Sequence, residues 1–244
     1  MNYKAVLQYD GTRYRGWQTQ GNTDNTIQGK LETLLTKMAG EPVEVNGSGR
    51  TDAGVHAAGQ VISFRCKTKE SPEEICRYMN EYLPEDIAVL TVEEAAPRFH
   101  ARLNAVRKTY VYRIWNAPVR NVFRRRFTTW IQKPLDLDAM EQAATLLCGT
   151  HDYRAFCSLK KFKKSTVRTI EKIEIGKMGQ EIRISYTGDG FLHHMVRILT
   201  GTLVEVGLGL RKPEEMTEIL EGQDRTKAGR LMPPEGLTLE SVEY

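Results

Sequence analysis

The stretch Ser71-Pro72-Glu73-Glu74-Ile75-Cys76-Arg77-Tyr78-Met79-Asn80-Glu81-Tyr82 carries both the start and the face of a helix. The serine supplies a cap, the proline sits in the first turn, and the glutamate three residues after the serine completes a capping box. Ile75, Tyr78, Met79 and Tyr82 recur at helical spacing and define one apolar face. Strand-like runs flank this helix, residues 60–66 before it and 87–92 after it. Further out, Tyr3, Ala5, Leu7 and Tyr9 alternate as in a strand. Ile27, Leu31, Leu34, Leu35 and Met38 follow a helical period that Gly40 stops, and 42–46 reads as a short strand. The first hundred residues thus read β-α-β-β-α-β, the ferredoxin-like order.

The second half repeats that order. A strand over 108–115 carries the alternating pair Tyr110 and Tyr112. Asp136 starts a helix with Met140, Ala143, Ala144 and Leu147 on its apolar face, ended by Gly149. Strands over 167–175 and 181–186 are joined by a tight turn at Lys177-Met178-Gly179. Helices over 192–206 and 213–220 and a strand over 237–243 complete the chain. The expected fold is α+β: two ferredoxin-like (RRM-like) lobes, largely antiparallel sheets flanked by helices, around a basic central cleft. The first lobe spans 1–104 and the second 105–244.

Composition restricts the function classes. The chain has 244 residues, 40% hydrophobic and 27% charged, an ordinary globular balance. Its 20 Gly and 9 Pro follow no short period, which excludes a collagen-like chain. No apolar run approaches the ~18 residues that suggest a membrane span, and the Met1-Asn2-Tyr3-Lys4 start leads into a strand pattern without a signal-peptide core. The four cysteines, at 66, 76, 148 and 157, form no C-x-x-C pair and read as reduced cytosolic thiols.

The net charge is only +4, yet it is segregated. Residues 95–135 hold ten Lys or Arg and no acid, and residues 153–170 hold six more and again no acid. Aromatic residues lie among these cations, including Phe99, Tyr110, Tyr112, Trp115, Phe123, Phe127, Trp130, Tyr153, Phe156 and Phe162. Cations attract phosphates and aromatic faces stack on unpaired bases, so the pattern fits a nucleic-acid surface. It also fits a solvated basic face over an aromatic core.

The densest polar cluster is Gly47-Ser48-Gly49-Arg50-Thr51-Asp52-Ala53-Gly54-Val55-His56-Ala57, placed as a loop between two strands. Asp52 lies two residues from Arg50, and a neighbouring guanidinium favours the charged form of a carboxylate. Such a carboxylate can act as nucleophile, base or electrostatic stabiliser. By itself the cluster fits an ordinary turn as well as a site; it is neither a dinucleotide fingerprint nor a P-loop. A second cluster, Gly190-Phe191-Leu192-His193-His194-Met195-Val196-Arg197, opens a helix. Adjacent histidines on a helix point about 100° apart, so no metal site is expected. Ser158-Leu159-Lys160-Lys161 and Asn46-Gly47-Ser48 match short motifs by chance.

Taken together, these residues resemble the tRNA pseudouridine synthase A family, tRNA pseudouridine(38-40) synthases, over essentially the whole chain. The loop Gly49 to Ala57 is similar to the family's catalytic motif. Tyr9-Asp10-Gly11-Thr12 with Tyr14 and Gly16-Trp17-Gln18 is similar to its N-terminal signature, and Lys108-Thr109-Tyr110-Val111-Tyr112 to its second motif. Gly149-Thr150-His151-Asp152-Tyr153-Arg154-Ala155-Phe156 and the run from Phe191 to Arg197 resemble its later ones. The resemblance implies a cytoplasmic homodimer without cofactor that isomerises uridine at positions thirty-eight to forty of the tRNA anticodon stem-loop. It implies Asp52 as the essential carboxylate, Arg50 beside it in base flipping, Arg197 as its basic partner, and Tyr110 as the residue stacking on the target base. Arg197 and Arg50 would keep Asp52 ionised. Attack at ribose C1′, attack at uracil C6 and a glycal route all remain open.

Two other classes compete. A non-catalytic basic RNA-binding protein or RNA chaperone explains the cations and aromatics but not a carboxylate in a phosphate-binding groove. A phosphodiester-cleaving enzyme calls for paired carboxylates on metal or paired histidines, and neither constellation is evident.

Overall fold

The computed structural model describes residues 1–159, 161–162 and 164–244. Lys160 and Lys163, two cations of the second basic window, lie outside the described residues, and with Lys160 so does part of the chance Ser158–Lys161 match. The chain divides into two compact units, Met1–Val106 with Thr238–Tyr244, and Arg107–Leu237.

In the first unit the order is β1 (Asn2–Tyr9), α1 (Ile27–Ala39), β2 (Val45–Gly47), β3 (His56–Arg65), α2 (Pro72–Tyr82) and β4 (Ile87–Glu94). Strand β1 is central and antiparallel to both β3 and β4. The short β2 pairs with the far end of β3, Val45 opposite Phe64 and Gly47 opposite Ile62. Local chemistry sets the helix limits. Thr26 caps α1 by accepting the Gly29 N–H, and Gly40, at φ 69°, turns left-handed to end it. In α2 both halves of the capping box form: Ser71 Oγ accepts the Glu74 N–H at 3.3 Å and Glu74 Oε2 accepts the Ser71 N–H at 2.7 Å. Helix α2 packs on β4 and α1 on α2, burying Leu7, Leu31, Leu35, Ile62, Ile75 and Met79 completely.

The second unit runs β5 (Arg107–Asn116), β6 (Thr129–Ile131), α3 (Leu137–Leu146), β7 (Gly149–Asp152), β8 (Val167–Met178), β9 (Glu181–Gly188), α4 (Met195–Gly207) and α5 (Glu215–Gly222). Its strands lie in the order β5-β9-β8-β7, each antiparallel to the next, and β6 pairs parallel to β5. Helix α3 packs against α4 and β8. Twelve of the thirteen residues of α4 are buried, so this helix forms the centre of the unit rather than an amphipathic cover.

Several elements differ from the expectation. Strand β3 begins at His56, so the last two residues of the glycine-rich cluster belong to a strand and the loop is 48–55. The β8–β9 connection is a two-residue turn at Gly179 and Gln180, because β8 runs on to Met178. Helix α4 begins at Met195, not Leu192: His194 adopts φ 64° and stands before the helix. His193 and His194 therefore do not diverge around a helix; their rings stack at 3.6 Å, and His194 Nδ1 lies 2.8 Å from Ser158 Oγ. Gly149 does not stop α3, which Leu147 caps, but opens β7 at φ 112°. The last strand, β10 (Leu237–Glu243), runs parallel to β3, with Thr238 opposite His56 and Leu239 opposite Ala57. From Thr238 on it belongs to the first unit, where the sequence reading places it with the second lobe. No helix among the described residues is long and apolar enough to cross a membrane.

The capping box yields a stability test. The Ser71 backbone N–H holds the Glu74 carboxyl below the usual glutamate range. A depressed folded-state pKa stabilises above the unfolded-state value and is lost as pH falls through the folded one. Ser71→Ala lowers the unfolding free energy by about 1 kcal/mol, read as a lower urea midpoint at neutral pH. The difference in midpoint between wild type and Glu74→Gln disappears as pH is lowered through the range where Glu74 takes up its proton.

Candidate active site

The loop 48–55 is fixed from beneath by side chains of the first unit. Ser48 and Gln60 are fully buried and Thr51 nearly so. Ser48 Oγ donates to Gln60 Oε1 at 2.6 Å, and Gln60 Nε2 donates to the Gly49 carbonyl at 3.0 Å and to the Tyr9 hydroxyl oxygen at 3.4 Å. The Tyr9 hydroxyl pairs with Thr51 Oγ1 at 2.8 Å. Burial pushes the Tyr9 phenol up to about 12, against the opposing hydrogen bonds of Thr51 and Gln60, so it stays protonated at neutral pH. A closed network of buried polar groups specifies one loop conformation, since any other leaves a donor or acceptor unpaired.

The N-terminal signature braces the same loop through its backbone. The Trp17 N–H donates to the Thr51 carbonyl at 3.0 Å, and the Val55 N–H to the Asp52 carbonyl at 3.1 Å. Gly16 sits at φ 95°, and a Cβ there would lie 2.8 Å from the Thr51 carbonyl oxygen. A Cβ on Gly11 would collide with the carbonyl oxygen of Val55. These glycines let the 10–17 segment lie directly on the loop. The Gly11 N–H also donates to His56 Nδ1 at 3.0 Å, just past the loop. On this support stand two candidate residues: Asp52, half-buried, and Arg50, exposed. Among the described residues no ion pair joins Arg50 to Asp52, so the fold does not engage the Arg50 guanidinium.

The other two candidates belong to the second unit. Tyr110 lies on β5 opposite Tyr186 of β9. Its ring is buried and meets Phe191 edge to face, centroids 5.3 Å apart at 84°. Arg197, in the first turn of α4, is also buried. Its Nε donates to the Met232 carbonyl at 2.7 Å, and the Met232 N–H donates back to the Arg197 carbonyl at 3.3 Å. The segment around Met232 straps α4 further along, through the Gly229 N–H to Thr202 Oγ1 at 2.9 Å and the Arg230 N–H to Glu205 Oε1 at 3.0 Å.

Ser48 and Thr51 stand in the polar cluster quoted above, but the sequence reading marks neither Gln60 nor Met232 as a support. Gln60 is an ordinary strand position by pattern, and only a polar residue among inward-facing apolar ones signals it. Pro233-Pro234 after Met232 is a local sign of a fixed, extended strap. Gln60→Leu strands the Ser48 hydroxyl and the Gly49 carbonyl. It lowers the unfolding free energy by about 1–3 kcal/mol, measured by chemical denaturation, while the conservative Gln60→Glu is also expected to destabilise because the Gly49 contact loses its donor.

Comparison with known proteins agrees with these motifs. A model described as tRNA pseudouridine synthase matches residues 5–104 and 143–244. The chain is 48% identical over 243 residues to tRNA pseudouridine synthase A of Bacillus sp. (strain KSM-64), covering 100% of this chain and 99% of that protein. It is 45% identical over 243 residues to tRNA pseudouridine synthase A 2 of Bacillus anthracis, again covering 100% of this chain and 99% of that protein. Identity to tRNA pseudouridine synthase A of Brevibacillus brevis is 46% over 241 residues, 99% of this chain and 98% of that one. With full-length relatives at this identity and a family model matching most of its residues, the chain belongs to the tRNA pseudouridine synthase family of isomerases.

Proposed function

We propose that this chain converts uridine to pseudouridine at positions thirty-eight to forty of the tRNA anticodon stem-loop, with Asp52 as the catalytic carboxylate. The observation that carries the reading is the Asp52 loop itself: a half-buried carboxylate on a loop pinned by backbone hydrogen bonds at Thr51 and Val55 and by the buried Ser48, Gln60, Tyr9 and Thr51 side chains. A rigid mount of this kind suits a group that must meet one carbon of a displaced nucleotide.

The reaction breaks the N1–C1′ bond and forms a C5–C1′ bond to the same ribose. The proton leaves C5 and N1 gains one, so the mass is unchanged and no donor or redox partner is consumed. Asp52 starts this exchange, by one of the three routes left open above. The target base must leave its stack first, at a cost of a few kcal/mol. Arg50, exposed and not engaged by the fold, is assigned to the displaced nucleotide. Tyr110 is assigned to the face of the base and Arg197, oriented by Met232, to the carboxylate. These assignments, and those of a homodimeric cytoplasmic enzyme working without cofactor, are supported by the motif resemblance. The basic windows hold the phosphates of the anticodon arm, which makes binding fall with salt.

The test uses unmodified tRNA transcripts tritiated at uracil C5. Wild type releases tritium to water, and Asp52→Asn retains tRNA binding while turnover drops at least about 10²-fold. Substantial release by Asp52→Asn removes Asp52 from the chemistry. Tyr110→Phe keeps a stacking face and Tyr110→Leu does not, so the leucine variant is expected to lose the larger share of kcat/KM; equal activity in both rejects stacking by Tyr110.

A further inference from the structure

A loop of the second unit, between β5 and β6, carries a phenyl ring that the fold does not use. It reads Ala117-Pro118-Val119-Arg120-Asn121-Val122-Phe123-Arg124-Arg125-Arg126-Phe127. Phe123 is 94% exposed, more than any other large apolar residue among those described. A phenyl ring left in solvent contributes nothing to folding by burial, since it is as exposed in the folded chain as in the unfolded one.

The loop is nonetheless built to hold that ring in place. Two tryptophans fix its base, Trp130 Nε1 donating to the Ala117 carbonyl at 2.9 Å and Trp115 Nε1 to the Val119 carbonyl at 3.0 Å. Arg120 lies over the Trp130 ring at 4.5 Å. Asn121 Oδ1 accepts the Phe123 and Arg124 N–H groups at 3.1 and 3.2 Å, forming the tip. Arg124 is anchored to the buried Glu181 carboxylate at 2.6 Å, which Arg183 also holds at 2.7 Å. The ring is therefore displayed on a preorganised support, and preorganisation is a property of binding surfaces.

Charge selects the occupant. Four arginines occur in the seven residues 120–126, and Glu181 neutralises only part of that charge. A second copy meeting this patch about a two-fold axis would bring like charges together, whereas a polyanion is attracted to it. A ring between arginines offers a face for an unpaired base and cations for its flanking phosphates. We infer that the 117–127 loop is a contact for the RNA substrate beyond the reacting nucleotide, in which Phe123 stacks on an unpaired base and the neighbouring arginines bind the adjoining phosphates. The inference rests on the tRNA reading and adds an RNA-binding residue to it.

The experiment measures binding of an unmodified tRNA transcript to the full chain by filter retention across a salt series, with sedimentation velocity on the same samples. Phe123→Ala and Phe123→Leu weaken binding about tenfold, Phe123→Tyr stays close to wild type, and the slope against salt is unchanged because no phosphate contact is lost. Arg125→Ala instead flattens that slope. Thermal unfolding is the same in the Phe123 variants, since the ring makes no use of the core. Unchanged affinity in Phe123→Ala overturns the inference, as does leucine matching tyrosine, which would mark a merely apolar contact. Weakened binding together with a smaller sedimenting species assigns the loop to an interface between copies and overturns it too. Tritium release separates this test from the previous one. A wild type that binds tRNA yet releases no tritium ends the isomerase reading while the Phe123 comparison still stands or falls on its own.

Discussion

The hydrogen bonds of Gln60 hold together what the rest of the first unit is arranged around. One side-chain amide receives Ser48 and gives to Gly49 and Tyr9, and Tyr9 in turn meets Thr51. The loop residues gripped this way flank Asp52 on its N-terminal side. The cost is a set of polar groups buried in the sheet, tolerable only because each one has a partner. The glycines at 11 and 16 serve the same end from the other side, letting main chain lie on main chain where side chains would hold the two apart.

The second unit solves the equivalent problem by different means. Arg197 is a cation in a helix that is buried almost all round. Its Nε is directed by a main-chain carbonyl, and the same residue, Met232, returns a hydrogen bond to the helix. Reciprocal bonds of this kind couple the guanidinium's position to that of the strap. The strap is itself tied to α4 at Thr202 and Glu205, so orientation of the arginine depends on residues more than thirty positions away in the chain.

Much of this architecture can be read from local chemistry. Ser71, Pro72 and Glu74 announce α2 because capping is satisfied within four residues, and Gly40 ends α1 because only the left-handed region is needed there. The alternation in β1, β5 and β9 reports a half-buried pleat. Strands β6 and β7, of three and four residues, are too short to show a period and exist only because a neighbour pairs with them. His194 illustrates the opposite failure. Its surroundings look helical, but a left-handed backbone and a contact with Ser158 from a separate segment determine its conformation. The Gly49–Ala57 loop stands out in the sequence as a pattern of residue types and by its family resemblance, whereas Gln60 and Met232 do not, since their roles depend on contacts that sequence spacing does not encode.

The pairing of β10 with β3 has a consequence for how the protein is made. His56, immediately after the Asp52 loop, faces Thr238, about 180 residues later in the chain. During vectorial synthesis the first unit emerges with that part of its β3 edge unpaired, and the whole of the second unit is translated before the missing strand arrives. The strand that flanks the loop is thus completed only after the second unit, when residues 237–243 become available to pair with it. A nascent chain carries the Asp52 loop long before it possesses the finished sheet beside it.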